Sequence, residues 1–255
     1  MYKIKHIKKS GTSKYEIEFL DNSKIKIYDN VLLKNNILFK KELSSELYNK
    51  LLEENAKEDI YYQTVKFISR KMRSRKEVEE FLNKSDIEYN EKQEILNRLD
   101  SLRLIDDKAY ARAYLQDSFL LSSAGPNKIK KELLYNNIDS DYIDTLLQEI
   151  DIQDIYNKLE KIIIKKVKAN STKSNYALRQ KIIFDVSNLG YDSSMINEIL
   201  DSINIDSNNS IINKEYNKLY RKLSNKYKDE ELQRQIYYKL RCKGFNDSEI
   251  NNIDK

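Results

Sequence analysis

The chain has 255 residues, 40% of them hydrophobic and 34% charged, with only one Pro and four Gly, which points to a mostly helical fold with little turn punctuation. One cysteine (Cys242) and one histidine (His6) exclude an internal disulfide and a zinc site of Cys and His ligands, and they leave Cys–His nucleophilic chemistry without its partners. The formal charge of +5 says little about nucleic acid until the charges are placed, and with no apolar run near the roughly 18 residues of a membrane helix and no signal-peptide core in Met1–Lys9, a cytoplasmic protein without membrane contact is expected.

In chain order, Tyr2, Ile4 and His6 suggest a first strand closed by the turn Ser10-Gly11. Tyr15, Ile17 and Phe19 alternate with charged residues as a second, and Ile25 and Ile27 mark a third after the turn Asp21-Asn22-Ser23. Leu43, Leu47 and Leu51 predict a helix from about Glu42 to Ala56. Residues 1–57 thus read as a small antiparallel β element plus a helix, either a docking module or, the favoured reading since no chemistry is visible, a brace for the helices downstream.

The remainder repeats itself. With Ile87 as position zero, apolar residues fall at −9, −5, +8, +9 and +12: Val78, Leu82, Ile95, Leu96 and Leu99. The same offsets from Ile138 give Ile129, Leu133, Leu146, Leu147 and Ile150; those from Tyr191 give Ile182, Val186, Ile199, Leu200 and Ile203. Phe245 repeats them with Ile236, Leu240 and Ile253. The residue before position zero is Asp86, Asn137, Gly190 or Gly244, the types that enter the left-handed region at lowest cost, so each predicts a left-handed helix end. Ser74 with Glu77, Asn90 with Gln93 and Asn246 with Glu249 have capping-box spacing, Ser140 and Ser193 suit N-caps, and Pro126 suits a first helical position. A further helix precedes each pair.

The expected units of three short helices occupy residues 58–105, 106–150, 151–204 and 205–255. Small units with little core of their own should stack into an elongated array that offers a long surface rather than a small-molecule pocket.

Basic residues gather near the first helix, and the turn after it, of units one, three and four. Lys66, Arg70, Lys71, Arg73 and Arg75 do so in unit one, and Lys161, Lys165, Lys166, Lys168, Lys173, Arg179 and Lys181 in unit three. Lys218, Arg221 and Lys222 serve unit four, while Arg112, Lys128, Lys130 and Lys131 extend the set through unit two. Regular placement is what a polyanion groove needs, although solvated helix faces carry such runs too. The tyrosines among them, Tyr61, Tyr62, Tyr216, Tyr220 and Tyr227, are candidates for stacking on bases, but their amphipathic spacing makes most of them core. No Gly-rich phosphate loop, nucleophile elbow or metal-spaced acid cluster is visible, and Asp106-Asp107 reads as a helix cap.

Three phrases resemble the RecX family, regulators of the bacterial RecA recombinase: FISRKMRSRKEVEEFL (Phe67–Leu82), LRLIDDKAYARAYL (Leu102–Leu115) and GPNKIKKELLYNNI (Gly125–Ile138). The resemblance is specific over about residues 60–150 and looser beyond, with the β element and fourth unit similar to longer members. It implies a curved array of three-helix units that binds the RecA–single-stranded DNA filament and favours its disassembly. Strand exchange, ATP hydrolysis and co-protease activity then fall, with no catalytic site, metal or cofactor of its own and with a monomer expected. The alternative is a single-stranded nucleic-acid binding or annealing protein acting without RecA. One departure is SFLLSSA (Ser118–Ala124), where family members usually carry basic residues before the Gly-Pro; either unit two contributes less to anion contacts, or Phe119-Leu120-Leu121 packs against the partner instead.

Overall fold

A computed structural model describes residues 1–169, 173–203 and 209–253. The expected boundary between Asn204 and Ile205 lies outside the described residues. The protein is mainly helical, with thirteen α-helices and a four-stranded sheet among the described residues. It divides into two compact units, residues 1–110 and 111–255.

In the first unit, strands β1 (Tyr2–Lys9), β2 (Lys14–Phe19) and β3 (Lys24–Tyr28) form an antiparallel meander, as the alternation predicts. Asn22 turns the second corner at φ 63°, with the Asp21 carboxylate accepting from the Ser23 N–H at 2.9 Å. A helix α1 (Asp29–Lys34), a 3-10 turn (Ile37–Phe39) and a two-residue strand β4 (Glu42–Leu43) come next, none of them expected. β4 pairs with the start of β1, giving the order β3-β2-β1-β4.

The predicted helix at Glu42–Ala56 is instead the first part of α2 (Ser45–Arg70), a continuous 26-residue helix. It starts late because Glu42 and Leu43 extend the sheet and Ser44 caps it, accepting from the Leu47 N–H. It does not stop at Ala56 because no Gly or Pro stands anywhere between Leu43 and Arg70. The sheet's apolar face packs on its N-terminal half: Ile17, Phe19, Ile27, Leu43 and Leu51 are fully buried, and Tyr2 stacks on Tyr48 at 4.0 Å between centroids. Tyr28 stacks on Tyr62, and its hydroxyl donates to Asp59, which also pairs with Lys14 at 2.9 Å. The Lys14 ammonium and the Tyr28 hydroxyl hold the Asp59 carboxyl below its usual range. The sheet and the N-terminal half of α2 thus share one core.

The C-terminal half of α2 forms the first trio with α3 (Arg75–Leu82) and α4 (Tyr89–Ser101), around Tyr61, Val78, Leu82, Leu96 and Leu99. Asp86 is not left-handed: α3 ends at Leu82 and a tight turn succeeds it, with the Ser85 N–H donating to the Leu82 carbonyl. The left-handed residue here is Arg103 at the end of α4, at φ 54°. The α4 capping box belongs to Glu88 and Glu91, not Asn90 and Gln93.

The trios continue as α5 (Asp107–Leu121), α6 (Pro126–Tyr135) and α7 (Ser140–Gln148), then α8 (Ile152–Lys168), α9 (Asn175–Ser187) and α10 (Ser193–Ser202). The last is α11 (Asn209–Leu223), α12 (Asp229–Cys242) and α13 (Asp247–Asn251). Asn137, Gly190 and Gly244 are left-handed, and the N–H of Ile138 and Phe245 each reach back five residues to close the preceding helix. The N-caps of α7 and α10 are Asp139 and Asp192, one residue before the serines expected, because a carboxylate on a short stem accepts the free N–H more strongly. The repeat positions supply the cores, with Leu159, Ile163, Ile182, Val186 and Tyr191 in one and Leu223, Ile236, Leu240 and Phe245 in the next.

Two joints in the second unit each seat a left-handed glycine against the start of another helix. The start of α6 meets the end of α9: the Gly125 N–H donates to the Leu189 carbonyl at 2.7 Å and the Asn127 N–H to Gly190 at 3.0 Å. At the second, the start of α9 meets the end of α12 by close approach, Gly244 lying against Ser174 and Ala177. At the first joint, N–H groups left over at the start of α6 are thus satisfied by carbonyls at the end of α9, whereas α9 is capped by its own Ser174, which accepts from the Ala177 N–H.

Candidate nucleic-acid interface

The candidate basic residues fall into two groups. In the first, cations are held by acids from other turns or helices. Arg73 pairs with Glu77 at 2.9 Å and lies over the Phe67 ring, and Lys71 stands 3.6 Å from the same carboxylate. Arg75 bonds Asp100 and Glu79, and these carboxylates, Asp100 foremost, raise its guanidinium pKa. Lys130 pairs with Asp144, Lys166 with Asp185 at 2.9 Å and Arg179 with Asp201 at 2.7 Å. Each of these cations thus has a carboxylate of the chain beside it.

The second group is exposed, without an ion pair within 4 Å among the described residues: Lys66, Arg70, Arg112, Lys128, Lys131, Lys161, Lys165, Lys168, Lys181, Arg221 and Lys222. Lys218 reaches Glu215 only at 3.9 Å, and Lys173 is exposed. Most stand opposite the core on the first helix of a trio. Lys66 and Arg70 are one turn apart on α2, and Lys161, Lys165 and Lys168 share the α8 face turned away from Leu159 and Ile163. On α11, Lys218, Arg221 and Lys222 line a shallow depression with Lys214 and Asn217.

Of the tyrosines, Tyr61 is buried under the Arg98 guanidinium, which also bonds Glu58 at 2.9 and 3.0 Å. Tyr62, Tyr216 and Tyr227 are half-buried against their cores, leaving Tyr220 as the exposed one. Other exposed aromatics lie outside the set expected from the sequence. Phe184 on α9 is 69% exposed and Tyr238 on α12 is 66% exposed, each six residues before its left-handed glycine. The signal was present as a large ring at an offset where the apolar repeat has none.

Asp106 and Asp107 are caps, as expected. Asp106 accepts from the Ala109 N–H, whereas Asp107 reaches the first N–H of α3, at Arg75, at 2.7 Å, and burial pushes its carboxyl up. In SFLLSSA, Phe119 packs inward: Lys158 stands over its ring and donates to the carbonyls of Phe119 and Ala124 at 2.6 and 2.9 Å. Burial lowers the Lys158 pKa. Leu120 and Leu121 remain exposed. Among the described residues, no group of three or more His, Cys, Asp or Glu is placed to hold a metal ion, and no helix is long and apolar enough to cross a membrane.

Regulatory protein RecX of Streptococcus pyogenes serotype M3 is 31% identical to this chain over 189 residues, 72% of either length. The chain belongs to the RecX family. Regulatory protein RecX of Oceanobacillus iheyensis is 27% identical over 216 residues, 83% of this chain and 79% of that one. A crystal structure of regulatory protein RecX shares the fold with a TM-score of 0.64 at 21% identity, covering 79% of this chain and 100% of the other. RecX from Lactobacillus salivarius gives 0.52 at 27% identity over 60% of this chain and 99% of that one. No family model matches the chain.

Proposed function

We propose that this RecX-family chain binds the RecA–single-stranded DNA filament and lowers its recombinase, ATPase and co-protease activities by promoting disassembly. It would thereby restrain recombinational repair and the SOS response, acting as a cytoplasmic monomer without a catalytic site or cofactor. Family membership carries this reading. The exposed cations on the outer faces of α2, α8 and α11 support it, since unpaired lysines and arginines remain available to phosphates or to acidic protein groups. The test is RecA ATPase on single-stranded DNA with the protein added below stoichiometry. A fall in rate is expected; no inhibition of the cognate recombinase by a folded sample would sink the reading.

A second reading, direct binding or annealing of single-stranded nucleic acid without RecA, is favoured by Phe184 near Lys181 and Tyr238 near Arg234 on exposed helix faces. Base stacking beside cations is how sequence-indifferent binding works. It requires tight binding to bare strands, falling steeply with salt; weak bare-strand binding beside strong filament binding would exclude it.

A further inference from the structure

Residues 1–44 hold ten lysines against five acids, an excess of five, which equals the formal excess of the whole chain at 46 basic and 41 acidic residues. The structure gathers four of these lysines, Lys5, Lys8, Lys24 and Lys26, on one surface. With one face of the meander buried on α2, the register sets the other as two cross-strand rows, Lys8–Glu16–Lys26 and His6–Glu18–Lys24, with Lys5 at the β1 irregularity. Glu16 and Glu18 lie in the central rows at 14% and 11% side-chain exposure, roofed by Lys5, Lys8 and Lys24 at 45%, 56% and 48%. Lys8 reaches Glu16 at 3.1 Å, Lys24 reaches both glutamates at 3.5 and 3.3 Å, and Lys5 reaches Glu18 at 2.8 Å.

We propose that this lysine-covered sheet face is a second binding surface, whose occupant is the sugar–phosphate backbone of a nucleic-acid strand. The glutamates hold the lysines upright without neutralising them, since four lysines face two carboxylates and each ammonium has three donors. Nucleic acid suits the face better than an acidic protein does, because the paired rows carry no apolar side chain and protein interfaces are built around apolar and aromatic anchors. Without an aromatic ring in the rows, the face grips phosphate and ignores base identity. It uses none of the cations of the helical trios, so each surface is tested by its own substitutions.

The experiment uses the full chain and a fluorescently labelled thymidine oligonucleotide, with anisotropy read across a salt series. Replacing Lys5, Lys8, Lys24 and Lys26 together with Gln should weaken binding at least tenfold at low salt. It should flatten the log–log salt slope by about 0.7 for each lost contact. The double variant Glu16→Gln, Glu18→Gln raises the charge of the same face and should bind more tightly, a gain that misfolding does not produce. Parental affinity and slope in both variants overturn the proposal. Loss of filament binding by the lysine variant with bare-strand binding intact also overturns it, and assigns the face to an acidic protein surface.

Discussion

Gly125 and Gly190 meet backbone to backbone: a methyl group on Gly125 would lie 2.7 Å from the Gly190 carbonyl, and one on Gly190 would lie 2.3 Å from the Lys128 nitrogen. Gly190 therefore serves twice, as the left-handed end of α9 and as the space into which α6 docks. Gly190→Ala should cost about 2–5 kcal/mol, combining a left-handed alanine with an overpacked contact. Gly11 shares φ +89° but has nothing within 4 Å, so Gly11→Ala should cost only about 1–2 kcal/mol. Urea unfolding followed by circular dichroism compares the two, and equal losses would refute the close-packed joint.

Exposed and paired cations should behave differently. Replacing Lys161, Lys165 and Lys168 with Gln should flatten the salt dependence of single-strand binding by about 2 on a log–log scale if all three meet phosphate. Replacing Lys166 and Arg179, which Asp185 and Asp201 hold, should leave that slope unchanged. The same anisotropy series measures both.

Phe184 and Tyr238 offer a stacking test. Alanine at either should weaken single-strand binding by about 1–3 kcal/mol where a base stacks there, with little change in salt slope. The chain has no tryptophan, so Phe184→Trp places one emitter on that face. Quenching by a single strand and not by free nucleotide is the expected result.

Acid should loosen the sheet's outer face. The ammonium groups of Lys5 and Lys24 hold the Glu18 carboxyl at about 2, against an ordinary 4.5. A carboxylate depressed in the folded state contributes stability that is fully present above pH 4.5 and drains away toward pH 2. Glu18→Gln should therefore narrow the gap between unfolding midpoints measured at about pH 6 and about pH 3. An unchanged gap would show that the network contributes nothing.

The repeat was legible in the sequence because the core is written at fixed offsets: Leu82, Leu133, Val186 and Leu240 recur at one position and are all buried. Left-handed ends were legible at Asn137, Gly190 and Gly244 and not at Asp86, where α3 stops a turn earlier. The continuity of α2 was hidden by an expected unit boundary, although no breaker stood there. The interface was less legible, since the partners that occupy Arg75 and Lys166 lie 25 and 19 residues away and no local count of charge can see them. The lysines of the sheet were masked by alternation, because each is separated in sequence from the next on its face and joined to it only by register.

The uninterrupted α2 has a mechanical consequence. At 1.5 Å per residue its 26 residues form a rod of about 39 Å, seated in the sheet at one end and ending at Arg70. The sheet is therefore a handle welded to the first trio rather than a bead on a string. A strand gripped at the lysine face and one touched at Lys66 and Arg70 would be held at a set separation, as by the two jaws of a caliper.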